Sequence, residues 1–159
     1  MASKSGADAL KSIKFFKGMP DMLLWHLSRA GKRRTLQQDE VLFTEGQPRE
    51  LLAVVLSGEI AIERTQDGET VLISSLGAGE VVGEALLLEE PNHGTSGRAT
   101  QPTEVLCFEK APLIKLLKDQ PQLYAALLSR TARTMNERIK LANAAIIAGR
   151  TGTFKVREK

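Results

Sequence analysis

Residues 77–99 read GAGEVVGEALLLEEPNHGTSGRA, and this stretch decides how the chain folds. Val81-Val82 is strand-like and stops at Gly83-Glu84, while Ala85 to Leu88 is compatible with a helix. A strand that runs straight into a helix leaves several backbone N–H groups unpaired at the helix start, a setting that suits an anion and most often a phosphate. Small and polar residues follow, and Arg98-Ala99 reads as the start of another strand.

Upstream of this stretch the period is that of strands. Short runs rich in Val, Ile and Leu (Val41 to Phe43, Leu51 to Leu56, Ile60 to Ile62, Val71 to Ile73) alternate with turn signals at Gly46, Gly58, Gly68 and Gly77. Such regular spacing predicts an antiparallel sandwich or barrel, because each half-buried strand must reverse after about 5–6 residues. Asp67-Gly68 between two such runs predicts a type I′ hairpin turn. Before residue 39 the period is helical. Asp8 to Phe16 carries Leu10, Ile13 and Phe16, and Asp21 to Ala30 carries Leu23, Leu24, Leu27 and Ala30, with Gly31 as a stop. The basic cluster Lys32-Arg33-Arg34 reads as the solvated end of that helix, where cations oppose the helix dipole.

Downstream, Leu113 to Leu117 predicts a short helix behind Pro112, and a long one runs from Pro121 to Ala148, ended by Gly149. Within it Ala125, Leu128, Ala132, Met135, Ile139, Ala142 and Ile146 recur at spacings of three and four, the stripe of a coiled-coil seam over about three heptads. Either the helix packs this stripe on its own β-domain or, as Arg130, Arg133, Glu137, Arg138 and Lys140 beside it favour, two chains pair along it. The expected dimer seam is Leu128, Ala132, Met135, Ile139, Ala142 and Ile146.

The 159 residues are 42% hydrophobic and 26% charged, the balance of one globular domain whose core is mainly aliphatic. A net charge of +3 selects no partner by itself. The single cysteine, Cys107, lies in the apolar run Val105 to Phe108 and has no partner in its own chain, which fits a reducing cytoplasmic compartment. Neither a signal peptide nor a stretch of 18 uncharged apolar residues is visible, so no membrane span is expected.

The order of two helices, eight short strands with a Gly-Glu-initiated helix among them, and two final helices resembles the cyclic nucleotide-binding domain of catabolite activator protein, protein kinase A regulatory subunits and cyclic-nucleotide-gated channels. The residues that carry the likeness are Phe16-Lys17-Gly18, Val41 to Gly46, Val55 to Gly58, Leu76 to Glu80 and Gly83-Glu84. The resemblance implies a mainly β fold with flanking helices: an eight-stranded antiparallel β-roll of the double-stranded jelly-roll type, with N-terminal helices and a long C-terminal helix. The domain is expected over residues 7–149, with N-terminal helices at 7–31, the β-roll at 35–110 and C-terminal helices at 111–149.

In that family the glutamate of the phosphate-binding cassette accepts the ribose 2′-OH, the short helix holds the cyclic phosphate, and an arginine nine residues later neutralises it. Carried over by position, the resemblance implies a ligand site at Gly83, Glu84, Ala85, Leu86, His93, Thr95, Ser96 and Arg98, with cAMP or cGMP as ligand and no cofactor required. The departure from the pattern is His93, which stands where the family has arginine. Three readings follow: Arg98 is re-aimed into the pocket, His93 is protonated by the bound phosphate, or the pocket has drifted to another ligand or none.

The expected function is therefore a ligand-sensing regulatory domain that signals through its C-terminal helix, with a ligand-free dimerisation or interaction module as the alternative. No enzyme is expected. His26 and His93 are the two histidines, and no nucleophile, metal-ligand spacing or Walker-type loop accompanies them, so no catalytic or metal site is assigned. A helix-turn-helix needs about 20 residues, and ten follow Gly149, so no nucleic-acid binding by this chain is expected. Residues 150–159 read as a frayed terminus or as the first strand of a second, output domain.

Overall fold

The computed structural model describes residues 6–149, so the expectation for the tail at 150–159 lies outside the described residues. Eight antiparallel strands form two four-stranded sheets. One has the order β1 (Lys32–Leu36), β8 (Thr103–Glu109), β3 (Leu51–Ser57), β6 (Val81–Val82); the other has the order β2 (Val41–Phe43), β7 (Ser96–Ala99), β4 (Glu59–Gln66), β5 (Glu69–Gly77). Helices α1 (Gly6–Lys11) and α2 (Asp21–Ala30) precede the roll, and α3 (Lys110–Asp119) and α4 (Pro121–Ile147) follow it. This is the expected β-roll with flanking helices.

The unbroken apolar run of β3 has a direct cause. Leu52 and Val54 point to the helices, where they pack with Phe16, Leu24, Phe108 and Leu123, while Ala53 and Val55 point between the sheets with Leu36, Ile60, Ala99 and Val105. A strand covered on both faces has no polar position to alternate with. Cys107 is a free thiol on the inter-sheet side, and its burial pushes the thiol pKa up. At the far end of the roll, Asp67 and Gly68 both have positive φ (52° and 80°) between the paired Gln66 and Glu69, as a type I′ turn requires.

Four local expectations change. Asp8 to Phe16 is broken into α1 and a separate 3-10 turn at Lys14–Phe16, which turns both Phe15 and Phe16 into the core. Lys32-Arg33-Arg34 is not a helix end but the opening of β1, paired along its length with β8. Its cations meet Glu109, Glu104 and Glu40, an exposed ion-pair row that masks the strand in a hydrophobicity reading. Strand structure thus begins at residue 32 and ends at Glu109. The helix after Pro112 is longer than Leu113 to Leu117, because Pro112 sits in its first turn, where the missing N–H costs nothing.

α4 divides into two halves. Leu123, Leu127 and Thr131 are buried against the domain, and no α4 residue from Ala132 to Ile147 is. No helix among the described residues is long and apolar enough to cross a membrane.

Candidate functional site

Gly83 ends β6 in the left-handed region with φ 74°, and a Cβ there would stand 2.6 Å from the carbonyl oxygen of Leu51. Glycine alone fits both demands. The chain then enters a 3-10 helix, Glu84–Leu88, in place of the α-helical turn expected from Ala85. Leu86 and Leu87 point into the core beneath it, and Leu86 N–H donates to Gly83 O at 3.1 Å. The Leu86 side chain, expected at the ligand site, is part of the core and anchors the turn.

This geometry places the Glu84 carboxylate in a buried position, 6% exposed, facing α4. Arg138 of α4 donates through Nη1 to Glu84 Oε1 and through Nη2 to Val81 O at 2.7 Å. About four turns earlier on the same side of α4, Tyr124 donates its hydroxyl proton to Leu87 O at 3.1 Å. The long helix is therefore tied to both ends of the short one by polar contacts.

His93 is 4% exposed and lies flat on Phe43, with ring centroids 4.2 Å apart and planes inclined by 15°. Gly97 makes room for this stack, since a Cβ there would come within 2.5 Å of the Phe43 ring. Nδ1 of His93 is 3.3 Å from Nη1 of Arg49. Burial first, and the Arg49 charge second, push the His93 pKa down to about 4. The imidazole is neutral at pH 7 and accepts from Arg49, which speaks against the reading in which it carries the ligand's counter-charge.

Ser96 sits at the start of β7, and its Oγ accepts from Glu45 N–H at 2.9 Å, leaving its own proton to donate. Thr95 and Ala85 are half-buried beside these groups. Arg98 is corrected. Strand alternation turns Gly97 and Ala99 inward and Arg98 outward, where it forks onto Glu63 at 2.5 and 3.2 Å and reaches Asp39 at 2.7 Å. The small residues around it do not re-aim it into the pocket, because the β2 and β4 ladders on either side hold its register. Arg49, Arg138 and Phe43 also gather around His93 and Glu84, and sequence reasoning did not place them there. Gly97 was the one local hint, a glycine within a strand that marks a close approach.

The depressed His93 pKa has a consequence for stability. The unfolded chain takes up a proton near the ordinary value of 6.5, whereas the folded chain resists until about 4. Stability is full above 6.5 and falls as pH drops through that window. The whole shift, about 3 kcal/mol, is lost only once pH falls below the folded value of about 4; stopping at pH 5 takes a little over half of it, and solvent screening keeps the expected loss between pH 7 and 5 to about 1–2 kcal/mol. Urea unfolding at both pH values should show this excess loss in the wild type relative to His93→Gln. Equal losses in the two proteins would mean that His93 titrates normally.

A family model described as "Cyclic nucleotide-binding domain" matches residues 33–120, more than half of the chain. The "Cyclic AMP receptor protein" of Thermus thermophilus is 32% identical over 106 residues, which cover 64% of this chain and 49% of that protein. The chain spans about half the length of the curated relatives it matches first. Among solved structures, the N-terminal domain of a transcriptional regulator from Streptomyces coelicolor A3(2) superposes with a TM-score of 0.68 at 28% identity, covering 82% of this chain and 94% of that one. A cyclic nucleotide-binding domain from Methylobacillus flagellatus shares the fold with a TM-score of 0.78 at 22% identity, over 95% and 85% of the two chains.

Proposed function

Because the chain belongs to the cyclic nucleotide-binding domain family, we propose that it is a regulatory sensor, not an enzyme, that binds cyclic AMP or cyclic GMP over the Gly83–Leu88 turn and signals through α4. The observation that carries this reading is the buried Glu84 carboxylate, presented by a left-handed glycine and joined to the long helix through Arg138. A ribose 2′-hydroxyl that donates to Glu84 competes with Arg138 for the same oxygen. Ligand binding then releases the Arg138 tie, and the exposed second half of the helix transmits the change. Ser96, with a proton to give, and Thr95 suit the phosphate edge of such a ligand.

The sensor unit spans residues 7–149 in this reading. A second copy of the chain covers the stripe from Leu128 to Ile146, and an output domain, fused or separate, receives the signal. The buried, unpaired Cys107 supports a cytoplasmic setting.

Isothermal titration with both nucleotides tests the function. Glu84→Gln keeps the volume and loses the charged acceptor, and should weaken binding by about 1–2 kcal/mol. Unchanged affinity in that variant would remove Glu84 from the site. The alternative, a dimerisation module without ligand, is favoured by one observation, the neutral His93 in the family's arginine position. Absence of binding with either nucleotide at millimolar concentration would overturn the cyclic-nucleotide reading and leave the alternative standing.

A further inference from the structure

A cyclic phosphate carries a negative charge, and neither of the two candidate cations supplied by the sequence pattern meets it: His93 is neutral, and Arg98 is held outside by Glu63 and Asp39. A third guanidinium reaches the site from a different segment. Arg49 lies in the loop between β2 and β3, and this loop is laced to the segment returning from the 3-10 helix. Arg49 N–H donates to Pro91 O at 2.8 Å, His93 N–H to Gln47 O at 2.9 Å and Gly46 N–H to His93 O at 2.7 Å. The lacing fixes the Arg49 backbone beside the cassette as firmly as a strand pairing would.

The half-buried side chain then ends among the site's polar groups. Nη1 is 3.3 Å from His93 Nδ1, the negative charges of Glu84 and Glu90 act on the guanidinium, and Nε is buried with no hydrogen-bond partner. A buried donor left unmatched is a cost that an incoming acceptor removes. A guanidinium also offers two parallel N–H groups, the match for two exocyclic phosphate oxygens.

We propose that Arg49 is the anion-binding residue of this pocket, holding the cyclic phosphate of the ligand in place of the arginine that His93 replaces. His93 is then a positioning residue. Its neutral Nδ1 accepts from Arg49, and its stack on Phe43, for which Gly97 makes room, keeps that nitrogen aimed. An arginine at position 93 would repel Arg49, so the histidine in the family's arginine position and Arg49 beside it form one arrangement. The assignment rests on the reading of the site as a cyclic-nucleotide pocket.

Titration of the full chain with cyclic AMP and cyclic GMP, alongside thermal melts without ligand, tests it. R49Q keeps a stem of similar length and loses the charge; it should melt close to the wild type and bind at least tenfold more weakly. R49Q/H93R returns an arginine to the family position and should recover most of the lost affinity, which a merely structural role for Arg49 does not predict. If R49Q fails to fold, R49K decides: a several-fold loss supports the assignment and wild-type affinity overturns it. A well-folded R49Q that binds as tightly as the wild type overturns the role of Arg49 and leaves the pocket reading standing. A wild type that binds neither nucleotide overturns both.

Discussion

Arg138→Met is expected to lower the unfolding free energy by about 2–4 kcal/mol, at the low end of what breaking a buried ion pair costs. Methionine retains the packing of the arginine stem on α4, so the loss isolates the charge. The Glu84 side chain is 8% exposed and that of Arg138 is 35% exposed, so deleting the cation strands a carboxylate that water reaches poorly. Val81 O loses its donor in the same step. Pairing the change with Glu84→Gln removes the stranded charge and should recover most of the loss, and a double-mutant cycle in urea reads the coupling directly. If Arg138→Met unfolds like the wild type, Glu84 is hydrated and the tie between α4 and the short helix carries no energy. Under the proposed competition, the same variant binds cyclic nucleotide more tightly, since no arginine has to leave Glu84.

Replacing both Met135 and Ile139 by glutamate is expected to convert a dimer into a monomer. The first half of α4 is buried by its own domain through Leu123, Leu127 and Thr131. In the second half, Ala132, Ile139, Ala142 and Ile146 are exposed, Ile139 to 58%, and Met135 is half-buried, while Leu128 in the first half packs in part against the domain's own core. In the proposed dimer this stripe pairs with its own copy about a two-fold axis, each residue meeting its counterpart in a narrow seam. Four new carboxylates around that axis would cost on the order of 5 kcal/mol or more, over a thousandfold in dissociation constant. Sedimentation reads the result, and circular dichroism shows whether the roll persists, as it should when neither residue is part of the core. A wild type that already sediments as a monomer ends the dimer proposal. A double variant that unfolds assigns the stripe to the domain's own packing.

How much of this was legible in the sequence depends on how far apart the cooperating residues lie. The strand runs, the Asp67-Gly68 turn, the Gly83-Glu84 break and the length of α4 are each written in a few consecutive residues, because backbone reversal and helical periodicity are local properties. Lys32-Arg33-Arg34 misled for a local reason as well. β1 lies at the edge of its sheet, and its exposed face carries ion pairs where a strand reading looks for alternating apolar residues.

The site divides along the same line. From the sequence alone followed the β-roll, the position of Glu84 at the entry of a short helix, and the absence of arginine at position 93. Only the tertiary structure decided which cations approach that glutamate. Arg138 comes from 54 residues away, Arg49 meets His93 across 44, and Arg98 is drawn off to Glu63 across 35. A guanidinium side chain is long and flexible, and its partner is chosen by the ladders and loops that bring distant backbone segments together. No spacing within one segment encodes that choice, because the energy that makes it exists only once both sheets and the long helix are in place.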